Sequence, residues 1–241
     1  MGVKALGSAL TTLRAAEVVA EHQPIGVTGV ARHLAVTKSS AQRVLATLAE
    51  AGWIAPAPSG GGQWELTARP WLVGRHYVEH RDFRAVLAPV LRRLRDETGE
   101  TAHLTVVDDD RAVIVEVAES RQPVHAASRI GATTPAIESA GGRAVLARAT
   151  PARLAALAEA HPDLAASLGD LEADRQRGYS VNLGVVNPGV HAVAVPVDDG
   201  AGRTVAALVL SAPRDRMPAG LAGELGGRLA RAVAEAMGRS A

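Results

Sequence analysis

Polar side chains between residues 37 and 47 have the types and the spacing that sequence-specific DNA binding requires. The segment contains Thr37, Lys38, Ser39, Ser40, Gln42, Arg43 and Thr47. An arginine can donate two hydrogen bonds to guanine and a glutamine can pair with adenine, whereas lysine and serine side chains bind phosphates. We therefore predict that Arg43 and Gln42 contact bases and that the other polar residues hold the DNA backbone.

Apolar residues in the same segment recur at helical intervals and predict which face is buried. They are Ala41, Val44, Leu45 and Leu48, which share one side of an α-helix. Thr37 suits the N-cap of this helix, and Gly52 suits the position just beyond its end. We predict a helix from about Thr37 to Ala51, while an ordinary amphipathic surface helix remains the alternative on spacing alone.

Two further helices and a hairpin are predicted around this helix. Residues 5–21 carry a first apolar stripe, and a shorter stripe over residues 27–34 precedes a tight connection at Ala35-Val36. Trp53–Ala55 and Gln63–Leu66 flank a glycine-rich tip and predict a β-hairpin. Three helices followed by a hairpin form a winged helix-turn-helix, whose last helix enters the major groove.

The predicted hairpin, or wing, contains no lysine or arginine between Gly52 and Thr67. Its charge-based contribution to DNA affinity should therefore be small, because that contribution comes from neutralised phosphates. Specificity and much of the affinity should depend on the polar face of the third helix.

A linker helix is predicted to begin at Arg69-Pro70 and to run to about His80, since proline is tolerated in a first helical turn. Its Trp71 and Tyr77 could anchor a dimer interface or pack within the subunit. The next apolar stripe starts at Phe83 and contains Pro89, which predicts either a kink or the start of a new segment.

The remaining residues alternate between predicted strands and helices. Strands are expected at His103–Val107, Ala112–Val117, Pro123–Ser128, Tyr179–Leu183, Val190–Val197 and Thr204–Leu210, and helices at Ala140–Ala149, from Pro151, at Asp163–Arg177 and at Pro218–Arg239. This order indicates an α+β domain built on a mostly antiparallel sheet. We predict a DNA-binding domain over residues 1–68, a linker helix over 69–82 and a second domain over 83–241.

Composition limits the functional classes. The chain has a net charge of +1 and no cysteine, and it shows neither a membrane-spanning apolar run nor a signal-peptide pattern, so we expect a cytoplasmic protein. Asp108-Asp109-Asp110 could bind a cation, but a hairpin turn is the favoured interpretation. The histidines lack metal-ligand spacing and Ser139 lacks a nucleophile elbow, so we predict no catalytic residues, no metal and no cofactor.

Several segments resemble the IclR family of bacterial transcriptional regulators. Residues 25–34, 37–48 and 52–54 look like its DNA-binding domain. Segments similar to its effector domain follow in the family's order: Glu97–Leu104, Pro135–Ala147, Arg177–Tyr179, Pro188–Val190 and Ala194–Val197. Each piece is weakly specific, but their order and spacing along nearly the whole chain are characteristic.

The resemblance implies a metabolite-responsive regulator, with repression the commoner mode, that binds operator DNA as a dimer or tetramer. It also implies a GAF/PAS-like second domain that holds a small-molecule effector. The implied effector-binding residues are Gly131, Ser139, Ala140, Gly141, Val193, Ala194 and Ser211. Backbone amides of residues 139–141, at a helix N-terminus, would suit a carboxylate.

The chain departs from the family pattern at four positions of this second domain. Ile137 and Arg143 stand where family members often carry histidine and lysine, and Val185 and Val186 replace acidic or polar residues. We therefore expect either an apolar or aromatic carboxylate as effector, or the loss of tight effector binding. Glu138 should disfavour a second anion nearby.

A second functional class stays open at this point. The chain could be an enzyme or a small-molecule carrier whose N-terminal helices mediate only protein contacts. The lack of a catalytic constellation argues against an enzyme. Salt-dependent retention on DNA would separate the regulator from the carrier, because phosphate binding weakens steeply with salt.

Overall fold

The computed structural model describes residues 5–79, 83–162 and 167–238, and the side chains of residues 75–79 are not described. The chain divides into two compact units, Met1–Arg81 and Asp82–Ala241. The linker helix therefore belongs with the first unit by its contacts. No helix among the described residues is long and apolar enough to cross a membrane.

The first unit is a helical domain with a small antiparallel sheet. Its elements are α1 (Gly7–His22), β1 (Ile25–Gly26), α2 (Val27–Leu34), α3 (Lys38–Glu50), β2 (Ile54–Pro56), β3 (Gln63–Leu66) and α4 (Arg69–Glu79). β3 lies between β1 and β2 and pairs with both in the antiparallel sense. The predicted three helices and wing are confirmed.

The helices of the first unit pack through the predicted apolar stripes. Ala15 and Val19 of α1, Val30 of α2, and Ala41, Leu45 and Leu48 of α3 form one buried cluster with Ile25 and Ile54. Val44 is only partly buried and packs against this cluster. Because one face of α3 is buried here, its opposite face is left to solvent.

The second unit is built on a six-stranded antiparallel sheet. Its elements are α5 (Phe83–Thr98), β4 (Thr101–Asp108), β5 (Arg111–Ala118), β6 (Thr133–Pro135), α6 (Ala140–Leu146), α7 (Pro151–Ala160), α8 (Leu168–Arg177), β7 (Ser180–Leu183), β8 (Val190–Asp198), β9 (Thr204–Pro213), a 3-10 turn (Ala219–Leu221) and α9 (Ala222–Met237). The strand order is β6-β5-β4-β9-β8-β7. The α+β class predicted from the sequence is confirmed.

Different helices cover the two faces of this sheet. Leu104 of β4 and Leu208 of β9 pack with Leu91 of α5 and Leu229 of α9 in the largest buried cluster. On the other face, Val209 of β9 packs against α6. Because side chains alternate along a strand, Thr101, His103 and Thr105 point away from α5 and toward the α6 side.

Several predicted boundaries in the second unit were wrong. Pro123–Ser128 forms no strand; it is a loop whose Ala126 carbonyl accepts a hydrogen bond from Thr101 Oγ1 at 2.8 Å. The strand paired with β5 is instead Thr133–Pro135. Pro89 lies inside α5, so no new segment begins there, and α6 ends at Leu146 rather than Ala149.

Other predicted ends cannot be compared because they fall at undescribed positions. The end of the linker helix at His80, the start of a helix at Asp163 and the end of the last helix at Arg239 lie outside the described residues. The Tyr77 side chain is likewise outside them. Trp71 is described, and its side chain is 67% exposed within its unit.

Candidate functional site

The outer face of α3 gathers the polar residues that the sequence assigned to DNA. Lys38, Ser39, Gln42, Arg43 and Thr47 are exposed and Ser40 is partly buried. Lys38, Gln42 and Arg43 have no side-chain hydrogen bond or ion pair within the described part of the chain. Their polar groups are therefore available to an external partner.

The hydroxyl residues of this helix are instead partly engaged in holding its shape. Thr37 is the N-cap, and its Oγ1 accepts a hydrogen bond from the Ser40 amide at 3.2 Å. The same oxygen lies 3.1 Å from Ser39 Oγ and 2.9 Å from Ser40 Oγ. Thr47 Oγ1 donates to the Arg43 carbonyl at 3.0 Å. Thr37 and Thr47 thus contribute to the helix itself before any contact with DNA.

The turn before α3 sets the direction in which this face points. Ala35 adopts a left-handed conformation with φ 52°, and its amide donates to carbonyls of the last turn of α2. Val36 N donates to Ala31 O at 3.0 Å. This compact turn is what a helix-turn-helix needs between its two helices.

The wing has an exposed tip made of glycine. Gly60, Gly61 and Gly62 have φ of 73°, 69° and 69°, a region that other L-residues adopt at a cost. A Cβ added at any of them would meet no atom within 4 Å. The wing therefore presents backbone without charge.

A cavity of about 390 Å³ lies in the second unit, on the face of the sheet covered by α6. Its walls come from β4, β5, β8, β9, the loop before β6 and the start of α6. The lining residues are His103, Thr105, Ala112, Ile114, Ala126, Ala127, Ser128, Arg129, Ala132, Thr134, Ser139, Ala140, Gly141, Asn182, Val186, Asn187, Val190, Ala192, Val209 and Ser211. A cavity of this size suits a small organic molecule.

Four of the seven residues predicted to bind an effector line this cavity: Ser139, Ala140, Gly141 and Ser211. Gly131 is not in the lining, although its neighbours Arg129 and Ala132 are. Val193 packs in the cluster on the opposite face of the sheet, because side chains alternate along β8. Ala194 is on the cavity side but is covered by α6, so Val190 and Ala192 take its place in the wall.

The start of α6 is a poorer anion site than the sequence suggested. The Ser139 amide donates to the Pro135 carbonyl at 3.3 Å, so it is already used. Ser139 Oγ accepts from the Gly142 amide at 2.9 Å. The helix also has only seven residues. Two amides of the predicted three, those of Ala140 and Gly141, remain.

Two glycines let the start of α6 pack closely, Gly141 against the sheet and Gly142 against the loop before the helix. A Cβ on Gly141 would lie 2.8 Å from Thr105 Cβ and 3.0 Å from Val209 Cγ2. A Cβ on Gly142 would lie 2.2 Å from the Ala136 carbonyl oxygen. The second obstacle is backbone and cannot rotate away, so only glycine fits at position 142.

His103 is the cavity residue that the sequence reasoning missed. It is 8% exposed, and its Nδ1 is the buried side-chain nitrogen or oxygen without a hydrogen-bond partner among the described residues. Burial lowers the pKa of His103 to about 4, so its imidazole is neutral near pH 7. Its alternation with Leu104 on a predicted strand was the signal that could have placed it opposite the core.

His125 and His191 belong to the second unit but lie outside the cavity lining. His125 is 2.7 Å from the Gln122 carbonyl through Nδ1 and 3.1 Å from Glu119 through Nε2. His191 Nδ1 lies 2.8 Å from the Met217 carbonyl. Neither is in the lining, so both are satisfied by protein groups.

The positions that depart from the family pattern have separate roles. Ile137 packs against a buried cluster beside α7 and α8, not in the cavity. Arg143 Nε donates to buried Asp174 at 2.8 Å, and burial raises the pKa of Asp174 against the opposing effect of its arginine partners. Val186 lines the cavity, whereas Val185 is 66% exposed.

The Asp108–Asp110 segment forms the turn between β4 and β5, with Asp109 at φ 51°. His161, which sequence spacing did not connect to it, lies 3.7 Å from Asp109 and 3.4 Å from Asp110. The three groups could hold a metal by distance. Both aspartates lie within ion-pair distance of His161, which accounts for the arrangement without an ion.

Comparisons with known proteins match both units of the chain. The family model described as the IclR helix-turn-helix domain matches residues 11–58, and that of the bacterial transcriptional regulator IclR C-terminal domain matches residues 75–237. The HTH-type transcriptional regulator BhcR of Paracoccus denitrificans is 31% identical over 90% of this chain and 80% of its own length. The acetate operon repressor of Salmonella typhimurium is 28% identical over 92% and 86%.

A solved structure supports the same architecture. It is an IclR homolog complexed with 4-hydroxybenzoate, from Microbacterium hydrocarbonoxydans, with a TM-score of 0.78 and 20% identity. The match covers 98% of this chain and all of that one. At this identity, the comparison establishes the fold.

Proposed function

Because the chain belongs to the IclR family of bacterial transcriptional regulators, we propose that it represses transcription by binding operator DNA through α3. It is a regulator rather than an enzyme, with a helix-turn-helix domain followed by an effector-binding domain. In the proposal, residues 1–68 bind DNA, residues 69–82 form the linker helix and residues 83–241 bind the effector. The protein acts in the cytoplasm, where its operator is accessible.

The observation that carries the DNA-binding role is the unpartnered polar face of α3. Lys38, Gln42 and Arg43 are exposed, and their side chains make no hydrogen bond or ion pair among the described residues. Arg43 is placed to donate to a guanine and Gln42 to pair with an adenine, and Lys38 suits a phosphate. Ser39, Ser40 and the helix N-terminus capped by Thr37 add phosphate contacts.

Repression and oligomerisation are proposed from different observations. The relative from Salmonella typhimurium is named as a repressor of an operon. On α4, Trp71, Leu72 and Val73 are 67%, 45% and 54% exposed. A run of large apolar side chains suits an interface with a second copy, and we propose a homodimer or homotetramer.

The cavity under α6 is the proposed effector site. Alanine, valine and isoleucine side chains form much of its wall, which favours an apolar or aromatic carboxylate over a small, highly charged acid. The structural relative complexed with 4-hydroxybenzoate is consistent with that class. A tight thermal-shift response to glyoxylate, with none to aromatic acids, would contradict the proposed class.

The DNA-binding proposal is tested by selecting bound fragments from random DNA and measuring them by gel shift. Arg43→Ala should weaken the selected operator by about 10- to 100-fold, the value of a bidentate base contact. Deleting residues 59–62 from the wing should cost only a few-fold, because they carry no charge. Arg121→Ala, an exposed loop residue of the second unit, is the matched control and should have no effect.

The reverse order, with the wing deletion more damaging than Arg43→Ala, would overturn the assignment of α3. Salt dependence separates the regulator from a small-molecule carrier. The regulator's affinity for DNA should fall by at least about tenfold between about 50 and about 200 mM salt. A carrier would show no retention on DNA at either concentration.

A further inference from the structure

His103 and Arg129 give the cavity two polar groups that the protein itself leaves unpaired. His103 Nδ1 is shielded from solvent and has no hydrogen-bond partner among the described residues. Arg129 is exposed where it lines the cavity, and it makes no side-chain hydrogen bond or ion pair within the described residues. One group is buried on the sheet, and the other is in the loop before β6.

Two other polar lining groups, those of Asn182 and Ser139, are already used. Asn182 Oδ1 accepts from the amides of Gly184 and Val185 at 3.0 Å each, and its Nδ2 donates to the Glu138 carbonyl. Ser139 Oγ caps α6. A ligand therefore meets an unpaired ring at His103 and the one fixed positive charge of the described lining at Arg129, and the lining hydroxyls of Thr105 and Ser211 have no protein partner either.

The chemistry at His103 selects an uncharged polar group. A neutral imidazole offers one donor and one acceptor nitrogen, and a hydroxyl can satisfy either, so the tautomer does not matter. A carboxylate would pair most strongly with a protonated ring, and burial disfavours that form, since it lowers the pKa of His103 to about 4. Leaving a buried ring nitrogen unpaired is unfavourable, so a hydroxyl ligand gains from pairing with it.

The chemistry at Arg129 selects the acid. A guanidinium can bind a carboxylate through two parallel hydrogen bonds. The short α6 offers less, since its Ser139 amide and its Gly142 amide are already bonded. The wall contributed by Ile114, Val190 and Val209 is apolar and suits a ring or an aliphatic segment that joins the two polar ends.

We infer that the cavity binds a small hydroxylated organic acid, with its hydroxyl group directed to His103 and its carboxylate to Arg129. This inference depends on the proposed function, because it takes this cavity as the effector site. It adds the ligand's orientation and the reason why the hydroxyl group is required.

The test uses three probes of one shape on the full-length protein: 4-hydroxybenzoate, benzoate and 4-hydroxybenzamide. Calorimetric titration of the wild type should give about tenfold or more weaker binding for benzoate, which lacks the hydroxyl, and for the amide, which lacks the charge. His103→Leu should reduce the hydroxyl preference to near one and keep the acid preference. Arg129→Met should reduce the acid preference to near one and keep the hydroxyl preference.

His161→Leu, which changes a histidine outside the cavity, should leave both preferences as in the wild type. If His103→Leu fails to fold, the ring nitrogen shifts of wild-type His103 replace it. Those shifts should change on adding 4-hydroxybenzoate and stay nearly constant on adding benzoate.

Three results would overturn the inference: no binding of any probe at millimolar concentration, equal binding of hydroxybenzoate and benzoate by the wild type, or an unchanged hydroxyl preference in His103→Leu. The proposed function fails by a different measurement, the loss of salt-dependent DNA binding by the wild type. If the protein binds DNA and binds acids with no preference for a hydroxyl group, the proposed function stands. Only the proposed role of His103 is then wrong.

Discussion

The outer face of α3 and the cavity under α6 both present polar groups without protein partners, but they do so in opposite environments. On α3, Arg43 and Gln42 stand in water, where an unpaired polar group costs nothing. In the cavity, His103 is 8% exposed and its Nδ1 has no protein partner among the described residues. The outer face of α3 is open to a large charged partner. The cavity leaves a buried polar group unpaired until a small ligand enters.

This difference teaches where each site can be altered without harming the fold. Exposed side chains of α3 can be replaced with little effect on stability, because the buried cluster under Ala41, Leu45 and Leu48 is untouched. Cavity residues belong to the packing of α6 on the sheet, so changes there alter ligand binding and stability together. The comparison is tested by substitutions that change binding and stability together in the cavity but change only one of them on α3.

The largest expected effect is that of Gly142→Ala on stability. Its Cβ would lie 2.2 Å from the Ala136 carbonyl oxygen, so α6 and the loop before it cannot keep their present spacing. We expect a loss of about 3 kcal/mol or more in the free energy of unfolding, at the upper end for overpacking. Denaturant unfolding monitored by circular dichroism measures it.

Gly169→Ala is the matched control for that variant. Gly169 is also helical, and a Cβ there meets nothing within 4 Å, so the change should be neutral or stabilising by up to about 1 kcal/mol. Equal effects of the two substitutions would show that close packing at Gly142 does not hold the cavity wall.

The same contrast explains how much was predictable from the sequence. The α3 surface is local: a 3.6-residue period places Ala41, Leu45 and Leu48 inside and Arg43 outside, and the structure agrees. The cavity is assembled from strands far apart in the chain. The register in which these strands pair therefore decides which residues line it. Register decides that Ala192, opposite Ser211, is in the wall while Val193 is behind the sheet.

The segments that differ from the sequence-based prediction also depend on contacts between residues far apart in the chain. Pro123–Ser128 has a strand-like pattern, but the position beside β5 is taken by Thr133–Pro135, so this segment remains a loop. Pro89 continues α5 because a helix packed along its length on the sheet, through Leu87, Leu91 and Leu94, tolerates the missing hydrogen bond. His103 was overlooked because its alternation with Leu104 places it opposite the core but does not show that a cavity lies on that face.

The next largest effect is a pH dependence of stability that the cavity has and the α3 surface lacks. Burial lowers the pKa of His103 to about 4 from 6.5, so the unfolded chain takes up this proton at a higher pH than the folded one. The stability contributed is fully present above pH 6.5 and is lost as the pH falls toward 4. The expected loss is about 3 kcal/mol over this window.

Chemical unfolding of wild type and His103→Leu at several pH values isolates this contribution. The difference in unfolding free energy between them should shift by about 3 kcal/mol in favour of the variant between about pH 7 and pH 4. His125→Leu gives the opposite sign, because hydrogen bonds to the Gln122 carbonyl and to Glu119 raise the pKa of His125. Parallel curves for wild type and His103→Leu would contradict the buried neutral state.

The smallest expected effect is that of a substitution in the turn that orients α3. This substitution should change stability without changing DNA binding. Ala35 has φ 52° and ψ 41°, a conformation that costs an L-residue about 1–2 kcal/mol and glycine almost nothing. Ala35→Gly should raise the free energy of unfolding by about 0.5–1 kcal/mol, since the freedom that glycine adds to the unfolded chain offsets part of the relief. Ala20→Gly, in the regular and exposed end of α1, should lower the free energy of unfolding by a similar amount.

The affinity of Ala35→Gly for operator DNA, measured by gel shift, should stay at the wild-type value, because the polar face of α3 keeps its direction. A several-fold change in affinity would mean that the strained turn sets the position of the DNA-contacting surface.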